Sequence, residues 1–143
     1  MARIKISLPQ KFNFTTTIPI RITDLNYGAH VGNDTVLSLI HEARMQFLKR
    51  YNYTELEFAG TGLIMSDVAI EFKNEVFYGE VLTASVTANE FTRVGFDVYY
   101  KLSKNLENKE IIVALAKTGM VCFDYSKRKV VAVPNGVKEL LSQ

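Results

Sequence analysis

The chain has very little cysteine. Cys122 is the only one in 143 residues, so no internal disulfide and no cysteine-based metal cluster can form. A chain without disulfides suits a reducing compartment, and a cytoplasmic location is the expectation. No run approaches the roughly 20 apolar residues that a membrane-spanning helix needs, so no membrane partner is expected. The N-terminal stretch MARIKISLPQKFNF lacks a sustained apolar h-region, and no signal peptide is expected. The net charge is only +2, which argues against a dedicated nucleic-acid binder but tolerates an anionic small ligand. There is no P-loop, no GxSxG elbow, no HExxH and no Cys/His spacing that would hold a metal. The missing GxSxG removes the serine α/β-hydrolase design. Repeats, low-complexity tracts and linker composition are also absent.

What is present is enough for one folded domain spanning 1–143. Hydrophobic residues make up 48% of the chain and can build a core, and 22% charged residues do not suggest disorder. Phe14 to Thr23 is rich in Thr and Ile and reads as a strand. Pro19 cannot donate to a ladder, which places that strand at an edge or beside a bulge. Asn26 to Gly32 reads as a loop. Asn33 or Asp34 is the expected N-cap of a helix running to about Tyr51. Its apolar residues, Val36, Leu37, Leu39, Ile40, Ala43, Met45, Phe47 and Leu48, cover most of the circumference and predict a largely buried helix. Such a helix needs a curved sheet around it.

The rest of the chain supplies strand patterns. Leu63–Phe72 reads as a strand and Tyr78-Gly79-Glu80 as a turn. Val81–Asn89 and Val94–Leu102 alternate apolar and polar residues with the period of a half-buried strand. Asn105–Lys109 reads as a polar hairpin turn, and Ile111–Tyr125 as a long central strand. Lys127-Arg128-Lys129 reads as a solvated turn, Val130–Val133 as a short strand, and Asn135–Leu141 as a brief closing helix behind Pro134. The expected fold is α+β: one long helix wrapped by a curved antiparallel sheet of about five or six strands.

The chemistry concentrates at the junction of first strand and helix, in DLNYGAHVGNDTVLSLIHEAR, Asp24 to Arg44. Asp24, Asn26, His30 and Asn33 gather beside a helix start, whose unpaired N–H groups and dipole favour negative charge. The order of strand, Asp-containing loop, His30-Val31-Gly32-Asn33, and a helix carrying Glu42-Ala43-Arg44 resembles the hotdog-fold acyl-CoA thioesterases of the 4-hydroxybenzoyl-CoA thioesterase type. The likeness covers roughly Phe14 to Asp124. Two departures stand out: Gly32 replaces the first of two usual asparagines, and the spacing from Asp24 to His30 is about two residues longer than in many members. The Asp24-Leu25-Asn26…His30 order also resembles plant acyl-ACP thioesterases, which keeps Asn26 in consideration.

The resemblance implies hydrolysis of an acyl-CoA or acyl-ACP thioester. Such hydrolysis needs an activated water or nucleophile and stabilisation of the oxyanion. Asp24 is then the base or nucleophile, and the backbone around Val31, Gly32 and Asn33 the oxyanion site. His30 or Asn26 would position the water or the carbonyl, and Glu42, two turns into the helix, would orient a water or a partner side chain. Each residue has a plainer rival reading. Asp24 caps turns well, Asn33 caps helices, Glu42 and Arg44 form structural pairs, and His41 and Cys122 read as packing or solvated residues.

Coenzyme A enters as part of the substrate, and no cofactor or metal is expected. The resemblance also implies a homodimer or homotetramer joined through edge strands, with a second subunit completing the site. Gly60 and Gly62 would permit close approach of a pantetheine arm. Two alternatives remain at this point: a hotdog-fold enoyl-CoA hydratase or dehydratase, which the Asp24, Asn26, His30 order partly echoes, and a non-catalytic acyl-CoA-binding module.

Overall fold

Alternation decides the sheet. In the computed structural model, which describes residues 2–143, Leu82, Ala84, Val86 and Ala88 point inward from one strand, and Phe96, Val98, Tyr100 and Leu102 from the next. The elements are β1 (Phe14–Pro19), a 3-10 turn (Ile22–Asp24), α1 (Asn33–Arg50), β2 (Gly62–Phe72), β3 (Val81–Asn89), β4 (Gly95–Leu106), β5 (Lys109–Asp124), β6 (Lys129–Val130) and α2 (Val137–Leu141). The six strands form one antiparallel sheet in the order β1-β3-β4-β5-β2, and the short β6 pairs with β5 off that path. The β4–β5 hairpin turns through Glu107 and Asn108, both with left-handed φ (52° and 65°), as a tight twisted hairpin requires. β1 and β2 are the two edges, and Pro19 ends the edge strand β1 as its missing N–H predicts.

The helix lies on the inner face of this sheet. Its buried residues are Val36, Leu39, Ile40, Ala43, Arg44, Phe47 and Leu48, spaced by threes and fours along one stripe. Leu37 and Met45, counted as apolar in the sequence, lie off that stripe, and Leu37 is exposed. The helix is therefore packed on the sheet on one side, not enclosed all round. Small fully buried residues, Ala43 on the helix and Ala84, Ala114 and Ala116 on the sheet, allow a close approach. A truncation such as Ile40→Ala in this fully buried core costs about 2–5 kcal/mol.

A polar chain crosses the core. The Tyr100 hydroxyl shares a hydrogen bond with Thr118 Oγ1 at 2.7 Å and accepts one from Arg44 Nη1 at 3.2 Å. Arg44 Nε donates to Glu55 Oε2 at 2.9 Å, and His41 Nε2 lies 2.7 Å from Glu55 Oε1. Burial pushes the Tyr100 phenol up. Burial alone would lower the Arg44 guanidinium, but Tyr100 and Glu55 more than offset this and hold it above its ordinary value. Arg44 thus pairs with Glu55 beyond the helix, while Glu42 accepts from Gln46 Nε2 at 2.7 Å on the open helix face.

Several element ends differ from expectation. The first strand stops at Pro19 and the chain coils into the 3-10 turn that ends at Asp24. The helix N-cap is Gly32, not Asn33 or Asp34, which are its first two helical residues. β4 and β5 are longer toward their hairpin, and α2 starts at Val137 because Gly136 takes a left-handed φ of 87°.

Candidate active site

The loop between the 3-10 turn and α1 is a closed structure. Leu25 and Val31 form an isolated bridge, and the Asn26 N–H donates to the His30 carbonyl at 2.9 Å. Inside that ring the Asn26 Oδ1 accepts from the Gly28 N–H at 2.8 Å, and Ala29 adopts a left-handed φ of 66°. Gly28 sits where a side chain would press on Asn26 and meet His30. A Cβ there would lie 3.2 Å from Asn26 Oδ1 and 3.4 Å from His30 Nε2, so the amide and the imidazole converge across it.

The same loop delivers an unfilled helix start. Gly32 at the N-cap has no side chain to accept a hydrogen bond, and among the described residues none accepts from the N–H groups of Asn33, Asp34 and Thr35. The Asn26 side chain borders Gly32, with Nδ2 3.5 Å from where a Gly32 Cβ would stand. These unpaired donors and the helix dipole form a receptive end for an oxyanion. The Asp34 carboxylate folds over Gly32, with Oδ1 2.7 Å from the place of that Cβ.

His30 borders a cleft of about 280 Å³, together with Val31, Asn33, Val36, Phe72 and Glu75. Its Nδ1 lies 3.0 Å from the Val31 carbonyl, which can only accept, so Nδ1 carries the proton. Nε2 is then the ring nitrogen left to act as acceptor, 3.7 Å from Glu75 Oε2.

Asp24 is held differently. Its Oδ2 accepts from the Arg21 backbone N–H at 2.7 Å and its Oδ1 from Arg21 Nη2 at 3.2 Å, and the residue is 3% exposed. It caps the 3-10 turn. It lines a second cleft, of about 320 Å³, with Ser38, Leu39, Glu42 and Gln46. Within one chain, then, Asn26, His30, Val31, Gly32 and Asn33 come together, while Asp24 and Glu42 lie in a neighbouring cleft. Gly60 and Gly62 are further away still: they belong to the turn that starts β2, whereas His30 lies beside Phe72 at its far end. A Gly62 side chain would collide with the Tyr125 ring at 2.4 Å, so this glycine has a packing reason in the single chain.

Of the 74–80 loop behind the cleft, the sequence gives only the Tyr78-Gly79-Glu80 turn, where Gly79 takes a left-handed φ of 88°; the 74–77 stretch has no counterpart among the sequence expectations. Its Val76 carbonyl accepts from the Val31 N–H at 3.0 Å. Lys104, 6% exposed, donates from Nζ to the Glu75 carbonyl at 2.8 Å and to Glu80 Oε1 at 3.0 Å, beneath the Phe77 ring. The one available signal was a lysine at an inward-facing position just past the Val94–Leu102 alternation.

The chain belongs to the thioesterase-like superfamily, whose model matches residues 20–141. No curated protein sequence gives a match. Among solved structures, the chain is similar to an Asp-to-Asn mutant of 4-hydroxybenzoyl-CoA thioesterase complexed with 4-hydroxybenzoyl-CoA, at 17% identity and a TM-score of 0.80, covering 90% of this chain and 98% of that one. It is also similar to a 1,4-dihydroxy-2-naphthoyl-CoA thioesterase from Synechocystis, at 21% identity and a TM-score of 0.78, covering 90% and 94%. A DHNA-CoA thioesterase from Staphylococcus aureus matches at 14% identity and a TM-score of 0.75, covering 88% and 84%. At these identities the likeness establishes the hotdog fold. Among the described residues no helix is long and apolar enough to cross a membrane, and no cluster of three or more His, Cys, Asp or Glu could hold a metal ion.

Proposed function

We propose that the protein hydrolyses an acyl-CoA thioester in the His30 cleft. Thioester hydrolysis as the reaction class follows from membership of the thioesterase-like superfamily. The observation that carries the site assignment is the uncapped N-terminus of α1, with the amide of Asn26 beside its N-cap Gly32 and His30 lining the same cleft as its first residue, Asn33.

In this reading the thioester carbonyl oxygen lies against the N–H groups at the start of α1, with Asn26 Nδ2 beside them. A water attacks the carbonyl carbon as His30 Nε2 takes one of its protons. The tetrahedral oxyanion is held by donors already in place, so little reorganisation is needed. The C–S bond then breaks, and the proton on Nε2 passes to the departing thiolate, giving the free acid and coenzyme A. Asp24 acts as the anchor of the turn that presents this loop, and Glu42 stays with it in the second cleft.

Assembly enters through the free edge. β2 exposes Met65, Val68 and Phe72, and among the described residues no strand pairs with its outer side. Antiparallel pairing of two β2 strands about a two-fold axis would bring the Gly60–Gly62 turn of a second copy toward the Phe72 end of the first, beside His30. That arrangement supports a homodimer whose pantetheine path is completed by the second copy. Sedimentation of the purified chain tests the dimer. Thiol release from a panel of CoA esters, including one aryl ester, tests the reaction and the acyl class. Crotonyl-CoA in the same panel, followed by loss of enone absorbance, separates hydrolysis from hydration. Binding of acyl-CoA without turnover of any ester would replace this reading with a non-catalytic module.

A further inference from the structure

We infer that Glu75 is the charge partner of His30, a positioning residue for the proton transfer; the inference rests on the reading of His30 given above. Among the residues that line the His30 cleft, Glu75 is the one carboxylate. Asp24 faces the other cleft and is taken up by Arg21, and the cleft's cation, Lys73, is taken up by Glu71 at 2.7 Å. The bond from His30 Nδ1 to the Val31 carbonyl fixes which nitrogen faces Glu75. When Nε2 gains a proton from water, the new N–H and its positive charge arise beside the Glu75 carboxylate, whose Oε2 is 3.7 Å away. Glu75 lowers the energy of the imidazolium that exists between proton uptake and proton delivery to sulfur.

The placement is built into the fold. Glu75 has its own carbonyl held by the buried Lys104, and the next carbonyl, that of Val76, holds the Val31 N–H. A lysine withdrawn from water needs strong partners, and here one of its two partners is the backbone of the residue that faces His30. The loop thus ties the backbone of Glu75 and the imidazole-bearing segment to common supports, and so places the carboxylate on the His30 side of the cleft.

The test uses the full chain with benzoyl-CoA and octanoyl-CoA as probes, following thiol release for Glu75→Gln, Glu75→Asp, His30→Gln and the Glu75→Gln/His30→Gln double variant. A carboxylate about 4 Å from a new charge near water changes kcat by roughly five- to tenfold. Glu75→Gln is therefore expected to lower kcat by that factor, with KM within about twofold and an unchanged melting temperature. Glu75→Asp recovers part of the loss. In the His30→Gln background, Glu75→Gln adds nothing, because residues acting as a unit are not additive. The inference is overturned if Glu75→Gln retains wild-type kcat while His30→Gln loses it. It is equally overturned if the two losses multiply in the double variant, or if the loss tracks a fall in melting temperature. Full rate in His30→Gln would overturn the reading of His30 together with the inference built on it.

Discussion

Replacing Lys104 by Met removes the support of the site while leaving every cleft-lining residue in place. Lys104 Nζ makes two charge-assisted hydrogen bonds, to the Glu75 carbonyl at 2.8 Å and to Glu80 Oε1 at 3.0 Å, and its side chain is 6% exposed. Charge-assisted bonds contribute about 1.5–3 kcal/mol each, and the Met side chain recovers part of this by avoiding the burial of an ammonium. Glu80 is not stranded, since its Oε1 also accepts from the Phe77 N–H at 2.8 Å and its side chain is 22% exposed. The net cost is about 2–3 kcal/mol, which for a chain of this size lowers the melting temperature by roughly 5–10 °C. Circular dichroism melts measure that fall, and thiol release on the same samples at a temperature where both proteins are folded measures kcat. The Glu75 carbonyl loses its tether, so kcat should fall at least as far as in Glu75→Gln. A Lys104→Met protein that melts with the wild type would refute the view that this lysine holds the loop.

Two other perturbations probe different levels of the structure. Asp24→Ala removes the acceptor of the Arg21 N–H at the 3-10 turn. Its ion pair with the exposed Arg21 side chain adds little, so a cost of about 1–2 kcal/mol is expected in urea unfolding, as for a lost helix cap. Asp24→Asn, which keeps an acceptor there, should retain most activity; a stable Asp24→Asn protein without hydrolysis would make Asp24 the base and displace the present assignment. In the core, burial holds the Tyr100 phenol above its ordinary 10.0 in the folded chain. The unfolded chain therefore loses that proton first, so the stability from neutral Tyr100 is intact below pH 10 and drains away as pH rises through the folded value. Tyr100→Phe should cost about 1–2 kcal/mol at neutral pH, because Arg44 and Thr118 lose a buried partner. It should also make the alkaline fall in stability shallower than wild type; an equal slope would show that Tyr100 does not titrate this way.

The fold was legible because its signals are periodic and local. The alternation of Leu82, Ala84, Val86 and Ala88 and the spacing from Val36 to Leu48 each report one buried face, and the folded chain buries those faces. The apolar residues around the helix predict a wider buried face than it has, because Leu37 and Met45 are apolar without lying on the packed stripe, and composition around a helix does not say how far a sheet reaches. The junction was legible as a place, since Asn26, His30 and the helix start converge there. The commitments of its side chains were not. Asp24 looks like a free acid until Arg21 folds back onto it, and Gly32 looks like a defect until its missing side chain is seen to leave the helix donors open. Glu75 and Lys104 lie 45 and 74 positions beyond His30 with no motif around them, and only the packing of β4 under the 74–80 loop brings them to the site.

The central claim is that His30, at an uncapped helix start, performs the proton transfer in thioester hydrolysis. The most direct measurement is kcat and KM for thiol release from a CoA ester that the wild type turns over, compared with His30→Gln. Loss of a positioned acid–base group predicts a kcat lower by about 10²-fold or more, with KM little changed. A His30→Gln protein that hydrolyses the same ester at the wild-type rate would contradict the account.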